Sequence, residues 1–392
     1  MNRPYLIFCL GIVIGVMFCG CTGTPVHNTP DNAGSDVKAT LGTTASFVGR
    51  PTPLADGKKF IQVYAHRGAR SFAPENTLPG YVTGLAVGTH WVDMDVVMDK
   101  DGELVVSNDI WLNPDIVRGP DGKFPAPGRA AMLQNIPAED LNDFIQPYLV
   151  RNMTYKELQQ YDVGRLNPES PYAAYFPGQY QMDGVRMPLL KDVIRQVNSV
   201  SGGKVGFQIE FKTDPAHDNW TYTPKQFARA LYDVLDDEGI TQNCEIQSAD
   251  WRCLYELQKL DGTVATAYLT SSDNEPGNEY SFFDEDPAIA GLWTGGKLVK
   301  DYNNSIPYMV KTLGGRCWDP EDAELTKEAL DEAHRLGLKV VVWTRPEHSG
   351  TAFNRQTVER MIDWGVDGII TDDPGQLISM LAARGYSIPR RF

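Results

Sequence analysis

The first stretch whose residue types could carry chemistry is AHRGARSFAPENT, at residues 65–77. A short apolar run comes directly before it and predicts a β-strand that ends on His66 and Arg67. An imidazole can take up or release a proton near neutral pH, and a guanidinium can bind phosphate oxygens through its planar donors. A His-Arg pair at a strand end is therefore a candidate catalytic pair.

A second set of residues brings carboxylates together. Residues 91–98 read WVDMDVVM, so Asp93 and Asp95 lie two apart on an apolar strand and point to the same side. Residues 207–212 read FQIEFK and place Glu210 at the end of another apolar strand. Like charges repel unless a cation lies between them, and carboxylate oxygens are the ligands of Mg²⁺ and Ca²⁺. We therefore expect these three side chains to hold one of these divalent cations.

The elements that position these residues follow a regular alternation. From residue 60 onward, β-branched runs alternate with amphipathic helical stretches, which indicates βα units around a parallel sheet. Eight strands are predicted, at residues 61–64, 91–98, 205–211, 244–247, 264–268, 316–318, 339–343 and 368–370. Helices are predicted at residues 77–87, 189–200, 224–237, 251–260, 325–336, 355–364 and 376–383. This alternation favours a closed (β/α)₈ barrel, whose strand carboxyl ends form the active face.

Two long stretches interrupt the alternation, at residues 113–187 and 271–304. The first is rich in Pro and Gly, with a short helix predicted at 155–160, and the second is acidic and aromatic. Loops of this length inside a compact domain are usually functional. We interpret them as insertions after the second and fifth strands, near the barrel rim, where they could cover a substrate.

Taken in order, these motifs resemble the glycerophosphodiester phosphodiesterase family, in its exported bacterial lipoprotein form. The matching segments are His66-Arg67-Gly68, Pro74-Glu75-Asn76-Thr77, Asp93-Met94-Asp95, Glu210-Phe211-Lys212, Trp343, and GVDGIITDDP at residues 365–374. The resemblance covers about residues 62–381. It implies a barrel enzyme that hydrolyses glycerophosphodiesters to sn-glycerol 3-phosphate and an alcohol.

The resemblance also implies a role for each matched residue. These roles are general acid/base for His66, phosphate binding for Arg67 and Lys212, a pocket wall for Trp343, orientation of Arg67 for Glu75, and metal binding for Asp93, Asp95 and Glu210. In the family mechanism the glycerol 2-hydroxyl attacks phosphorus, an alcohol leaves, and water opens the cyclic phosphate. Lys212 could instead serve only to neutralise Glu210. Asp372 and Asp373 precede Pro374 and are predicted only to cap the last helix.

Two positions depart from the family pattern. Asp93 stands where the family usually has the longer Glu, and Asn108-Asp109 stands where the family has a His-Asp pair. The mechanism needs two proton-transfer groups, and an amide cannot titrate. Loss of one such group typically costs about 10²- to 10⁴-fold in rate. His217 and His348 are predicted on the same face of the barrel and could supply the missing group.

Three functions therefore remain open at this point. The preferred one is hydrolysis of glycerophosphodiesters at a metal site. A second is a catalytically impaired protein that binds phosphodiesters, because Asn108 replaces the second family histidine. A third is a phospholipase D-like or sphingomyelinase D-like barrel that acts on whole lipids.

Charge and the N-terminal segment bear on partners and location. The formal net charge is −15, which excludes a basic surface for nucleic acid. Residues 1–20 have the layout of an export signal, and the segment before Cys21 resembles a lipobox, so Cys21 is the predicted lipidation site. Residues 21–58 are predicted to be a flexible linker from the lipid anchor to a domain at 59–392. The predicted location is periplasmic or cell-surface, at a membrane.

Three cysteines lie beyond the predicted lipidation site, namely Cys244, Cys253 and Cys317. Three thiols are too few for a disulfide scaffold. One bridge could form among them, but free buried thiols are the preferred prediction.

Overall fold

The computed structural model describes residues 59–134, 136–271 and 286–392. The predicted signal peptide, Cys21 and the predicted linker lie outside these ranges, as do residues 272–285 of the second insertion. In the described ranges, no helix has both the length and the apolar character that a membrane crossing requires.

One sheet contains the nine strands of the described residues. They are β1 (Gln62–Ala65), β2 (Trp91–Met98), β3 (Leu104–Val106), β4 (Gly206–Phe211), β5 (Cys244–Ser248), β6 (Ala265–Thr270), β7 (Cys317–Pro320), β8 (Lys339–Trp343) and β9 (Gly368–Thr371). Strand β1 pairs in parallel with both β9 and β2, which closes eight parallel strands into a barrel. The predicted (β/α)₈ barrel is confirmed, and every predicted strand overlaps an observed one.

The α-helices are α1 (Leu78–Val87), α2 (Arg129–Leu133), α3 (Ala138–Ile145), α4 (Tyr155–Leu158), α5 (Leu190–Ser201), α6 (Pro224–Asp237), α7 (Trp251–Leu260), α8 (Pro287–Ala290), α9 (Ile306–Thr312), α10 (Lys327–Arg335), α11 (Pro346–Ser349), α12 (Arg355–Trp364) and α13 (Pro374–Ala383). Helix α6 illustrates how the sequence forms them. Thr223 caps its N-terminus in a capping box with Gln226, and Phe227, Leu231 and Leu235 form its buried stripe.

Strand β3 is absent from the sequence prediction. It pairs antiparallel with β2 and follows a turn at Gly102, where φ is +85°. A residue without Cβ adopts this left-handed conformation at little cost. An apolar run of three residues cannot be distinguished from a loop by its pattern. The βα alternation also predicts a helix after β2, not a second strand. This strand matters for the site, because Asn108 follows β3 and is positioned by it.

The first insertion, residues 113–187, follows the β2–β3 hairpin and has an apolar cluster of its own. Val105 of β3 belongs to one cluster of buried apolar residues with Leu158 and Phe176 of the insertion. Burial of each such side chain contributes roughly 1.5–3 kcal/mol. The insertion is therefore packed onto the hairpin. The second insertion follows β6, the fifth barrel strand, also as predicted.

The three predicted thiols are all buried and free in the structure. Cys244 begins β5, Cys253 lies on α7 and Cys317 begins β7. The preferred prediction of free buried thiols is confirmed, and no bridge joins them.

Candidate active site

A cavity of about 740 Å³ opens at the carboxyl ends of the barrel strands. Predicted site residues that line it are His66, Arg67, Glu75, Asp93, Asn108, Glu210, Lys212 and Trp343. Asp95 is not among the lining residues and is 1% exposed. The first insertion contributes Arg129 and Tyr172 to the lining. The described residues of the second insertion are 271 and 286–304, and none of them lines the cavity.

A tight turn directs His66 and Arg67 into this cavity. Strand β1 ends at Ala65, and the next three residues form a 3₁₀ turn in which Arg67 has φ +51°. A non-glycine residue in this region costs of order 1–3 kcal/mol and is often found at functional sites. Gly68 follows with φ +85°, and a Cβ there would lie 2.7 Å from the Gly80 carbonyl carbon of α1. The motif glycine therefore lets α1 pack directly against the His66–Gly68 turn.

His66 is oriented by Asp372. Its Nδ1 lies 2.5 Å from Asp372 Oδ1. Burial opposes ionisation of Asp372, but Arg70 and His66 outweigh it and lower the pKa of this carboxyl to about 2. An ionised carboxylate can only accept, so Nδ1 carries the hydrogen and Nε2 is the basic nitrogen. Burial, and next Arg70, lower the pKa of His66 against the opposing effect of Asp372.

The prediction that Asp372 only caps the last helix is wrong. Asp373 does cap α13, because its Oδ1 accepts a hydrogen bond of 2.9 Å from Gln376 N. Asp372 is fully buried and binds the Arg70 guanidinium through both oxygens, at 2.5 Å and 3.2 Å, besides contacting His66. The sequence showed two adjacent acids before a proline, which is a common capping pattern. The predicted closed barrel already placed the last strand beside the first, but the capping pattern was preferred for both acids.

Arg67 is held by two carboxylates. Its Nη1 donates to Glu75 Oε1 at 2.8 Å, and its Nε lies 3.2 Å from Asp95 Oδ2. Burial alone would lower the pKa of Arg67, but Asp95 and Glu75 raise it well above its usual range. The guanidinium therefore stays charged, with its plane fixed at the cavity wall, as a phosphate-binding group requires.

The three predicted metal ligands lie together on adjacent strands. Asp95 on β2 is in register with Glu210 on β4, and Asp93 lies two residues before Asp95. The Lys212 Nζ lies 2.7 Å from Glu210 Oε1 and 3.4 Å from Asp95 Oδ1. In the part of the chain described, no three acidic, His or Cys side chains already converge as a metal site. The ammonium of Lys212 contacts two of the carboxylates instead.

The pKa values of these three carboxyl groups shift in different directions, and burial is the largest effect on each of them. Burial, then Asp95 and Glu210, raise the pKa of Asp93 well above its usual range. Burial also raises the pKa of Glu210 to about 7, although Lys212 opposes the rise. Asp95 has a lowered pKa, since Lys212 and Arg67 outweigh the effect of burial. Three buried hard oxygen donors with unbalanced charge fit a divalent cation.

Asn108 occupies a half-buried position on the cavity wall. The next residue, Asp109, faces the insertion and accepts from Asn113 Nδ2 at 2.9 Å and Arg129 Nη1 at 3.0 Å. The hairpin thus delivers an amide, not a titratable group, to the place predicted for the second family histidine.

The two histidines considered as substitutes lie elsewhere on the rim. His217 stacks on Trp220 at 3.8 Å and pairs with Asp214, and His348 pairs with Glu321 at 2.8 Å. Neither belongs to the described residues that line the cavity. The geometry therefore gives no support to a replacement role for either one.

Trp343 ends β8 and forms part of the cavity wall. Its indole Nε1 donates to the Asp319 carbonyl at 3.0 Å, and the Arg345 guanidinium lies 5.1 Å from its ring centre. The wall is therefore a fixed apolar surface beside a cationic group.

Several residues at the site were not assigned roles from the sequence. Asn76 donates to Asp95 Oδ2 at 2.8 Å, and Gln247 donates to Asp93 Oδ1 at 2.6 Å. Arg70 binds Asp372, and the Tyr172 hydroxyl contacts both Arg70 and Glu75. Asn76 lies inside the PENT segment and Gln247 ends a predicted strand, so the sequence position of each could have indicated a place at the site. Tyr172 lies in an insertion without periodicity and had none.

A (β/α)₈ barrel with a half-buried histidine on a buried carboxylate, a fixed arginine and a carboxylate cluster at its strand ends fits a phosphodiester hydrolase. The chain belongs to the glycerophosphoryl diester phosphodiesterase family, whose profile matches residues 66–376. This confirms the resemblance drawn from the motifs. It is 21% identical over 323 residues to a glycerophosphodiester phosphodiesterase of Caldanaerobacter subterraneus subsp. tengcongensis, covering 82% of this chain and 98% of the relative.

Solved structures agree with the fold. A Silicibacter pomeroyi protein provisionally named a glycerophosphoryl diester phosphodiesterase is 28% identical, with a TM-score of 0.65 over 84% of this chain and 97% of its own. An Oleispira antarctica phosphodiesterase, crystallised in complex with the product sn-glycerol-3-phosphate, is 18% identical. Its TM-score is 0.52 over 82% of this chain and 96% of its own.

Proposed function

We propose that this protein hydrolyses glycerophosphodiesters to sn-glycerol 3-phosphate and an alcohol, assisted by Mg²⁺ or Ca²⁺. One observation carries the proposal: His66, with Nε2 as its basic nitrogen, faces the same cavity as Arg67 and the carboxylate cluster. Family membership supports the reaction class. The sn-glycerol-3-phosphate bound by the Oleispira antarctica relative supports the product.

The proton chemistry starts at His66. Its Nε2 takes the proton of the glycerol 2-hydroxyl as that oxygen forms a bond to phosphorus and the bond to the head-group oxygen breaks. Asp372 stabilises the imidazolium that results. The departing alkoxide takes a proton from water and leaves hydroxide, because the Asn108 amide is not acidic enough to protonate it. The hydroxide then attacks phosphorus in the cyclic phosphate, the bond from phosphorus to the 2-oxygen breaks, and that oxygen takes back the proton held on His66 Nε2, which leaves sn-glycerol 3-phosphate.

The remaining residues bind charge. Arg67, held by Glu75 and Asp95, binds a non-bridging phosphate oxygen, and Lys212 adds positive charge beside it. Asp93, Asp95 and Glu210 would hold the cation, which supplies charge stabilisation at phosphorus and lowers the pKa of a nearby hydroxyl.

The direct test is release of sn-glycerol 3-phosphate from glycerophosphocholine, with and without a chelator. We expect release that a chelator abolishes and that added Mg²⁺ or Ca²⁺ restores. Release that persists after divalent cations are stripped would refute the metal assignment. Product from sphingomyelin or intact phospholipid, with none from glycerophosphocholine, would favour the lipase alternative.

A second candidate function, phosphodiester binding with little turnover, is favoured by Asn108 on the cavity wall. Its test is Asn108→His, which restores a titratable group at that position. We expect turnover to rise by about 10²- to 10⁴-fold, the usual contribution of one general acid or base. Asn108→Gln is the matched control, since it keeps the amide and should give no gain. If Asn108→His gives no gain either, Asn108 does not limit turnover.

We also propose that the enzyme is exported and anchored by a lipid on Cys21, so that it acts at a membrane surface. The export-type segment before Cys21 supports this proposal. Fractionation of cells that express Cys21→Ala tests it, because this variant should leave the membrane fraction. Unchanged membrane association would rule out the anchor.

A further inference from the structure

The first insertion contacts the loop that follows the His66–Gly68 turn through one anchored segment, residues 167–180. At its start, Asn167 donates to the carbonyls of Pro114 and Ala126, at 2.9 Å and 2.8 Å. Near its end, Gln179 donates to the Arg70 carbonyl at 2.8 Å. Both amides are almost fully buried. The segment is therefore bound to the insertion at one end and to the loop at Arg70 at the other.

Tyr172 lies between these anchors, in a 3₁₀ turn that Ser170 caps. Its hydroxyl donates to Glu75 Oε2 and accepts from Arg70 Nη1 at 2.7 Å. Burial raises the pKa of this phenol well above its usual range, so the hydroxyl keeps its proton and remains a donor. One phenol therefore joins an anion and a cation that are otherwise 3.9 Å apart.

Each partner of Tyr172 leads to a different catalytic group. Glu75 uses its other oxygen to hold Arg67 at 2.8 Å, on the phosphate-binding side. Arg70 uses its remaining nitrogens to bind Asp372, which contacts His66 on the proton-transfer side.

We propose, building on the proposed function, that Tyr172 is a positioning residue through which the insertion sets both Arg67 and His66 for phosphodiester hydrolysis. Without the hydroxyl, Glu75 Oε2 and Arg70 Nη1 are free to pair directly. Such pairing draws Glu75 away from Arg67 and Arg70 away from Asp372. The insertion thus completes the site as well as covering it.

The test is Tyr172→Phe, which removes the hydroxyl and keeps the ring that packs on Phe176. We expect kcat/KM to fall by about 10- to 100-fold, since the lost bonds join charged groups. Because Arg67 is disturbed, calorimetry should also show weaker binding of sn-glycerol 3-phosphate, and KM should rise as kcat falls. Tyr180→Phe removes the same atom from the same segment at a side chain that is 69% exposed, and should behave as wild type.

Two further variants show whether Tyr172 acts through its partners. The double variant Tyr172→Phe with Glu75→Gln should lose little more than Glu75→Gln alone, since coupled residues are not additive. Should Tyr172→Phe unfold, Arg70→Lys removes the same contact from the other side and should lower kcat/KM at least as far. Additive losses, or a folded Tyr172→Phe with normal kcat/KM and normal product binding, would overturn the proposal. A wild type that binds sn-glycerol 3-phosphate but hydrolyses no diester would refute the proposed function. The positioning role of Tyr172 would still be tested in that case, by comparing product binding between Tyr172→Phe and the wild type.

Discussion

Buried charge lies at two levels of the barrel interior, and the two levels are balanced differently. At the lower level, near the strand N-termini, Lys339 Nζ lies 2.6 Å from Glu245 Oε1, and Tyr64 donates to the other Glu245 oxygen at 2.9 Å. At the upper level, burial raises the pKa values of Asp93 and Glu210, and the Lys212 ammonium contacts Glu210 and Asp95. At the lower level one ammonium faces one carboxylate, although burial raises the pKa of Glu245 as well. At the upper level three carboxylates share Lys212 and Arg67 as cations.

This difference separates a structural cluster from a functional one. Burial of charge alone does not identify a site, because a paired and hydrogen-bonded ion can sit in the core. What distinguishes the upper cluster is unbalanced charge at the wall of a cavity, which a ligand can correct. We therefore expect changes at the upper level to affect activity and changes at the lower level to affect stability.

The largest effect should follow His66→Gln. Glutamine keeps hydrogen-bonding capacity but cannot carry a proton between atoms, so kcat should fall by about 10²- to 10⁴-fold. The measurement is release of sn-glycerol 3-phosphate at saturating substrate. His334→Gln provides the control, because His334 on α10 pairs with Asp367 outside the cavity. A His66→Gln enzyme with near-normal kcat would remove His66 from the reaction.

The next effect should appear at the lower level, in Lys339→Met. The change leaves the Glu245 carboxylate buried without its cation, at a cost of about 3–5 kcal/mol in the free energy of unfolding. Denaturant unfolding measures that cost, and kcat of the folded fraction should stay near wild type. Adding Glu245→Gln to Lys339→Met should recover part of the loss. A variant that is fully stable but inactive would contradict the division between the two levels.

A smaller effect should come from Glu324, a half-buried carboxyl beside β7 that accepts from Thr270 Oγ1 at 2.6 Å. Burial, against the effect of Thr270, raises its pKa to about 8. The folded chain therefore holds this proton longer than the unfolded chain, and stability falls as pH rises from about 4.5 to 8.

Glu324→Gln mimics the protonated acid and should remove that penalty. We expect a gain on the order of 1–2 kcal/mol at pH 9 and almost none at pH 4, allowing for partial exposure. Unfolding curves at the two pH values measure it. Glu328→Gln, at an exposed site on α10, is the control and should show no such pH-dependent gain. An equal effect at both pH values would mean that the Glu324 proton is not responsible.

Much of this fold could be predicted from local pattern, because β-branched runs and amphipathic helices reflect burial within a few residues. The carboxylate pair of β2 was predictable for the same reason, since Asp93 and Asp95 share a face by alternation alone. Glu210 was predictable from its strand end. The register that places Glu210 beside Asp95 came only with the structure.

The contacts that the sequence analysis missed join distant parts of the chain. Asp372 and His66 are 306 residues apart, and they meet only because β9 closes the barrel onto β1. The place of Asp372 was predictable, because a closed barrel puts the last strand beside the first and an acid just after the last strand lies on the active face. Tyr172 offered no such signal, because its position depends on how the insertion packs against the β2–β3 hairpin.

The most direct test of the upper cluster is the thermal unfolding midpoint of the wild type, titrated with Mg²⁺ or Ca²⁺ after chelation. A ligand that binds only the folded state stabilises it by about 2.7 kcal/mol at 100 times its Kd. We predict a saturable rise in the midpoint for the wild type, and a much smaller rise for Glu210→Gln. No rise in the wild type, or an equal rise in both proteins, would contradict the assignment of Asp93, Asp95 and Glu210 as a cation site.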